Sequence, residues 1–557
     1  MDESSLDTLQ SGSEDDICKI LAEFAAKNAQ TFSFPTLDKS TKQKMVDSCL
    51  LRLQQKASSR CYASCLETLR ILSREKSGLE MLACESSLKI LLKHSGIETY
   101  ASEQGENITV QGGNNKVIIE AQKSLCNIIY NSPVAQRICT KNGCIEGIVQ
   151  RLKTYKDPDL DADVKYFDMK ILFLLTALCA EIRPVLRFEL HGFTYLIEVL
   201  DLCLKEEDIP KSTLSDRDAD LSCEVLKVLF NLTVAVDKNS LDEEEEAHFM
   251  RLVSVLHDLL LIETATKDKK EEVESHTVNL LTNMPRDCYE ELLTPLTEGA
   301  VSAMDNKEVE YDGKNMEAIV VLLEFLNNRL DTPQKNKKES LTPILHCLCE
   351  TCRANRCIRK FCRSKVLPPL RSEVKRLPEE GHTLRNKLCK LLTNPIQEVK
   401  ELVADFLFVM CKENVNRMVK YTGYGNAAGL LASRGLMCGG KPTTAQDYSS
   451  DSEDSDTEEY GWLRDQCPDS RVNPVTGRWE QDKPNPLEGM SEEQKEYEAM
   501  ELVNMMDKLC KTGIIQPSMI GPDGKPHPIE HVFELAENAP APPAAPPGGD
   551  EDELDSD

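Results

Sequence analysis

No stretch of this sequence stays apolar for long enough to cross a bilayer. The longest apolar run, Ile171–Ala180 (ILFLLTALCA), is flanked by Lys170 and Arg183 and falls well short of the roughly 20 residues a spanning helix needs. The opening residues, Met-Asp-Glu-Ser-Ser-Leu-Asp, lack the basic start and apolar stretch of a secretory signal, so a soluble, cytoplasmic chain without a transmembrane segment is expected. Positive charge is scarce as well: 66 Lys and Arg stand against 94 Asp and Glu, for a net charge of -28. Such a chain repels phosphate backbones and anionic lipid, which argues against nucleic acid as a partner.

Catalytic signatures are missing too. There is no serine elbow, no H-E-x-x-H and no acid pair set off by its surroundings, and the nine histidines are scattered. The expectation is therefore a protein that is not an enzyme and holds no cofactor or metal. Gly435-Leu-Met-Cys-Gly-Gly-Lys441 nearly spells a phosphate loop, but Pro442 removes both the magnesium-binding hydroxyl and the N–H that would open a helix. It reads as a loop that ends a helix. His346, Cys347, Cys349, Cys352, Cys357 and Cys362 crowd together, yet their spacing lacks the two paired knuckles of a structural zinc site and follows helical periodicity. These five cysteines and the other seventeen, 22 Cys in all and spread mostly singly, read as reduced thiols packed mainly as small hydrophobes.

What the sequence does have is length and helical pattern. Its 557 residues, 40% hydrophobic and 29% charged, can bury a large core. From about Asp15 to Leu436 apolar residues recur three and four apart, as in CLETLRIL (65–72), KYFDMKILFLLTAL (165–178) and VKELVADFLFVMC (399–411), and strict alternation never lasts beyond a few residues. The fold class is all-α. Ser124–Leu152 reads as an apolar helix bearing Asn127, a turn at Asn131-Ser-Pro133, a short helix, Gly143 and another apolar helix. That order resembles an armadillo repeat, with weaker echoes around Asn231 and around Asn279 and Asn283. Glu103–Asn115, Lys205–Asp220, Asp242–Glu246 and Asp331–Lys338 read as surface loops.

Charge divides the chain. Residues 443–557 carry a net -20, leaving -8 for the rest. The expected organisation is an armadillo/HEAT-like repeat solenoid over 1–437 and an acidic, phosphorylatable linker with a Pro-rich segment over 438–490. An amphipathic helix over 491–513, opened by the capping box Ser491-Glu-Glu-Gln494, precedes a disordered tail over 514–557. In the acidic block, Ser450 has Glu453 and Ser455 has Glu458 three residues on, the spacing an acidophilic kinase selects, with Ser449 as an alternative to Ser450.

Several stretches together resemble the synembryn family (resistance to inhibitors of cholinesterase): LRILSRE (69–75), SLCNIIYNSPVAQ (124–136), FLLTAL (173–178), VLPPLR (366–371), LRNKL (384–388), KYTGYGNAAGLLASRGLM (420–437) and NPVTGR (473–478). NPVTGR and the late helix look more like the A form than the B form. The resemblance implies a mixed armadillo/HEAT superhelix that acts as a chaperone and non-receptor guanine nucleotide exchange factor for heterotrimeric G-protein α subunits. The client would be GDP-bound or nucleotide-free Gα without βγ, its C-terminal helix held in the concave groove, and client recruitment would bring the protein to the cell cortex or plasma membrane. The family's groove residues fall on Arg70, Arg74, Asn127, Asn231 and Asn279, and also on Asn283, Arg356, Arg385 and Lys390. Ser450 and Ser455 fall on its regulatory phosphorylation sites, which implies an acidophilic kinase such as casein kinase two. An inner-face amide can bond the backbone of a bound peptide whatever its sequence, although a mid-helix Asn can also simply cap a neighbouring helix. The alternative is an armadillo-type peptide-binding adaptor without exchange activity.

Overall fold

Side chains that accept hydrogen bonds from exposed helix N–H groups set where many of the helices begin. Ser13, Asp38, Ser58, Ser132, Asp161, Ser215, Asp242 and Thr266 each accept from a backbone N–H two or three residues on, a contribution of about 1 kcal/mol apiece. The structure is a computed structural model. It describes the chain apart from residues 1–2, 99–114, 207–208, 239, 296–305, 333–335, 369–371, 439–469, 474, 482–486, 488 and 530–557. It divides into two compact units, 1–361 and 362–557.

The first unit opens with α1 (Glu3–Ser11), α2 (Glu14–Lys27), α3 (Lys39–Gln54), α4 (Ser59–Leu72), α5 (Glu85–His94), α6 (Asn115–Asn131), α7 (Pro133–Cys139) and α8 (Cys144–Leu152). It continues with α9 (Ala162–Leu178), α10 (Gly192–Leu204), α11 (Asp216–Thr233), α12 (Glu243–Leu261), α13 (Lys267–Leu281), α14 (Glu317–Asp331) and α15 (Lys337–Ala354). Helices α2, α4, α6, α9, α11, α13 and α15 pack one against the next as a row, and α8, α10, α12 and α14 form a second row against it. This is the helical-repeat architecture expected. Leu66, Leu69, Leu125, Ile128, Ile129, Ile171, Leu172, Leu175, Val225 and Leu229 have no exposed surface. Each contributes roughly 1.5–3 kcal/mol by burial, and only a neighbouring repeat can supply the cover.

Two expected loops are corrected. Glu243–Glu246 form the first turn of α12, where Asp242 Oδ1 accepts from the Glu245 N–H at 2.8 Å. Carboxylates favour that end of a helix because its dipole is positive there. Within 205–220 the chain forms β1 (Lys205–Glu206), β2 (Ile209–Pro210) and β3 (Thr213–Leu214) before α11 starts at Asp216. β1 and β2 pair antiparallel, and β3 pairs in parallel with β4 (Glu263–Thr264). A three-stranded sheet of β5 (Thr294–Pro295), β6 (Glu310–Tyr311) and β7 (Lys314–Asn315) completes the small strands of this unit. In the expected loop 103–115, Asn115 starts α6 and the rest lies outside the described residues. Over 331–338 the ends of α14 and α15 flank residues 333–335, which are also outside them.

A buried polar cluster ties four segments of this unit together. Arg151, 2% exposed, gives its Nε to Asp168 Oδ2 at 2.8 Å and its Nη1 to the Ser95 carbonyl at 2.8 Å. The Arg151 Nη2 bonds the other carboxylate oxygen. Gln122 Nε2 (2.7 Å) and the Tyr155 hydroxyl (3.1 Å) complete the shell around Asp168, which is fully buried. Burial, then the Asp168 charge, pushes the Tyr155 hydroxyl pKa up, so it stays a donor.

In the second unit, after α16 (Arg356–Val366), come α17 (Leu384–Leu391), α18 (Gln397–Met410), α19 (Val415–Thr422) and α20 (Tyr424–Ser433), then the hairpin β8 (Ser470–Asn473) and β9 (Arg478–Gln481). The two stretches KYTGYGNAAGLL and NPVTGR meet here: the Gly425 N–H donates to the Val475 carbonyl at 3.0 Å. Gly423 has φ +73, and a Cβ there would lie 2.9 Å from the Thr476 carbonyl carbon. Only glycine suits that position. The last helix, α21 (Glu492–Lys511), carries the expected capping box and buries no residue. Residues 514–529, expected to be disordered, include the hairpin β10 (Ser518–Ile520) and β11 (Pro526–Pro528). Gly521-Pro-Asp-Gly524 supplies its turn, closed by the Gly521 N–H on the Lys525 carbonyl at 2.9 Å. Among the described residues no helix is long and apolar enough to cross a membrane, and no disulfide is present.

Two stability outcomes follow from the first unit. Asp168→Ala removes the carboxylate that two guanidinium nitrogens of the buried Arg151 meet, and is expected to lower the unfolding free energy by about 3–5 kcal/mol in urea titration. In Gly147→Ala, the new methyl would collide with the Ile97 carbonyl and lie 2.6 Å from its Cγ2. A loss of about 1–3 kcal/mol is expected from the same titration.

Candidate functional site

The row that begins with α2 presents the asparagines, and three of them do the same thing. Asn127 Nδ2 donates to the Arg70 carbonyl and the Ser73 hydroxyl, both at 3.1 Å. Asn231 Nδ2 donates to the Phe173 carbonyl at 3.4 Å and the Thr176 hydroxyl at 3.0 Å. Asn283 Nδ2 donates to the Phe230 carbonyl at 3.3 Å and the Thr233 hydroxyl at 3.1 Å. In each case the acceptors lie three residues apart near the C-terminal end of the preceding helix of the row, and the Ser or Thr hydroxyl itself donates to the same carbonyl. The three amides therefore already spend their donors between repeats, and what remains for a ligand is the amide oxygen.

A second ladder runs one to two turns earlier. Glu120 meets Arg70 Nε at 2.5 Å and Lys123 at 3.1 Å; Glu224 meets Lys227 at 2.7 Å and Lys170 at 3.4 Å. Both follow one register, E-x2-K-x3-N, over 120–127 and 224–231. Burial pulls the Lys170 pKa down, but its hydrogen bond to Tyr166 and the Glu224 charge outweigh this and hold it above the ordinary lysine value. Arg74, one turn beyond Arg70, gives its Nη1 to the carbonyls of Ala29 (2.9 Å) and Thr31 (3.1 Å) and covers the exposed ring of Phe32, 5.1 Å from its centroid. Burial first, and then the neighbouring Arg70 charge, lowers the Arg74 pKa. Arg70, Arg74 and Asn127 thus form one local group.

The remaining expected residues are placed differently. Asn279 donates no side-chain hydrogen bond among the described residues; it lines a cavity of about 360 Å³ with Ser275, Phe325 and Arg329. Arg356 is an exposed residue at the start of α16. Arg385 and Lys390 lie on α17 in the second unit, Arg385 only 2% exposed and Lys390 exposed. Ser449, Ser450 and Ser455 lie outside the described residues.

Sequence reading missed an apolar edge. Tyr130, Leu178 and Val234 stand at the C-terminal ends of α6, α9 and α11, at 65%, 45% and 49% exposure. Exposed Phe188 joins Pro184, Leu232 and Val236 around a cavity of about 350 Å³. Large apolar side chains thus stand exposed at the ends of successive helices of the row, and their position at helix ends hid them from a search for periodic core faces.

A row of stacked helices whose polar ladders hold the repeats in register, with apolar side chains left exposed at the helix ends, defines a helical-repeat protein. The profile of the family described as "Guanine nucleotide exchange factor synembryn" matches residues 65–525, and the chain belongs to that family. It is 43% identical over 536 residues to "Chaperone Ric-8A" of Gallus gallus, covering 94% of this chain and 95% of that one. It is 43% identical to "Chaperone Ric-8A" of Xenopus tropicalis (95% and 96% covered) and 41% identical to that of Danio rerio (95% and 96%).

Asn127→Ala should cost about 1–3 kcal/mol of unfolding free energy, because it removes two inter-repeat hydrogen bonds, to the Arg70 carbonyl and the Ser73 hydroxyl, at a part-buried position. Asn127→Asp, nearly isosteric but with no donor, should cost as much; equal stability of the two variants and the wild type in denaturant titration would remove the ladder from the account.

Proposed function

We propose that this chain is a chaperone and non-receptor guanine nucleotide exchange factor for heterotrimeric G-protein α subunits. The observation that carries the reading is family membership over 65–525, which includes both the asparagine ladder and the contact between KYTGYGNAAGLL and NPVTGR. In this reading the C-terminal helix of GDP-bound or nucleotide-free Gα, free of βγ, lies along the Asn-bearing row. Arg70, Arg74, Asn127, Asn231, Asn279 and Asn283 face it; the exposed Arg356 and Lys390 contact the client as well, and Arg385, 2% exposed, would have to be uncovered to do so. Guanidinium groups suit the carboxylates of such a helix, its terminal carboxylate included, and the amide oxygens left over from the ladder can accept from its polar groups. The exposed Tyr130, Leu178 and Val234 supply apolar contact. Helix α21, with Tyr497 and Met500 exposed at 67% and 61% and no residue buried, reaches the nucleotide-binding domain of the client.

Exchange on this mechanism uses binding energy alone. A partner that holds nucleotide-free Gα more tightly than the GDP form shifts the equilibrium by that difference in affinity and no more. Drawing the C-terminal helix away from the Gα sheet loosens the guanine contacts and GDP leaves; GTP and magnesium restore the packing and expel the chain. The same grip shields the apolar surface of an unfinished Gα, which is the chaperone activity. An acidophilic kinase acting at Ser450 and Ser455 would add about -1.5 to -2 charges per phosphate to the linker and so regulate it.

The test is GDP release. Purified chain mixed with GDP-loaded inhibitory-class and stimulatory-class Gα is expected to speed release and to form a complex in gel filtration that GTP dissolves. Complex formation without faster release would instead favour a peptide-binding adaptor.

A further inference from the structure

We propose that Cys223, Glu272 and His276 form a binding site for a zinc-class divalent transition metal. Cys223 comes from α11 and the other two from α13, where their spacing of four puts them on one helix face. One ligand atom from each of the three lies within 4.8 Å of those of the other two. Thiolate, imidazole and carboxylate are the donor types zinc takes, and one sulfur with one imidazole selects zinc, cobalt or cadmium over magnesium or calcium.

The repeat supplies an independent argument. Glu120 and Glu224 each stand seven residues before a ladder asparagine and meet a basic side chain of the preceding helix. The residue seven before Asn283 is His276, beside Lys227. That lysine keeps Glu224 of its own helix as partner, and at this position of the repeat a nitrogen donor stands in place of the carboxylate. One turn back, Glu272, itself exposed, keeps a carboxylate whose Oε2 meets Lys269 at 2.8 Å, and one of its oxygens lies among the ligand atoms of the set. Cys223, 2% exposed, closes the set from the neighbouring helix.

Binding breaks the Cys223 S–H bond, forms a metal–thiolate bond and releases the proton to solvent. A divalent ion is then balanced by the thiolate and the Glu272 carboxylate, with water at the fourth position. The metal would cross-link α11 to α13, the helices that carry Asn231 and lead to Asn283.

Cobalt(II) alone, titrated into the metal-stripped full-length chain, is expected to give a saturable sulfur-to-cobalt charge-transfer band at one ion per chain, lost on adding zinc. Cys223→Ser should abolish the band. His276→Gln, at a half-buried position and with circular dichroism as the check of folding, should weaken cobalt binding by roughly tenfold or more. Cys357→Ser, a half-buried cysteine outside the set, should change neither. Absence of a saturable band in the wild type, or a band and affinity unchanged in His276→Gln, overturns the proposal.

Discussion

An asparagine amide spanning two helices is the constraint on which the rest of the first unit depends. Stacked repeats gain most of their stability from apolar burial, which is non-directional and would tolerate a slide of one helix along the next. The hydrogen bonds from Asn127 to Arg70 and Ser73, from Asn231 to Phe173 and Thr176, and from Asn283 to Phe230 and Thr233 are directional and short-ranged. They fix the register at the C-terminal end of each preceding helix, and with it the positions of Tyr130, Leu178 and Val234.

Polar ladder and apolar edge then divide the labour. The ladder's ion pairs, Glu120 with Arg70 and Glu224 with Lys170, cover the polar flank of the row and, being partly buried, are screened less by salt than exposed pairs. The helix ends stay free for apolar contact. In the second unit a comparable constraint is the approach of the 423–425 backbone to 475–477, 52 residues on: each segment supplies half of one close contact.

Much of the fold was legible because a helix buried on one side must repeat its apolar residues every three or four positions, and α4, α6, α9 and α11 do so. The acidic run at 243–246 was misread because charge alone does not distinguish a loop from a helix N-terminus; the Asp242 cap did. The hairpin at 518–528 was missed because a Gly-Pro-Asp-Gly turn between two three-residue strands carries too little apolar pattern to stand out. Of the site, the asparagines were visible, and so was the alternative that they cap neighbouring helices, which three of them do. Which of Asn279 and Asn283 takes that role could not be read, since both lie in the same periodic stretch and only the packing of α13 on α11 separates them. The Cys223, Glu272 and His276 set was invisible for a related reason: its members are 49 and 53 residues apart in sequence from the cysteine and meet only when two repeats stack.

The central claim is that the Asn-bearing row of the first unit is where a Gα subunit is held, and amide hydrogen exchange on the complex with nucleotide-free Gα tests it most directly. The account predicts slowed exchange at the C-terminal ends of α4, α6, α9 and α11, around Arg74, Tyr130, Leu178 and Val234. Protection confined to the second row, with those helix ends exchanging as they do in the free chain, would contradict it.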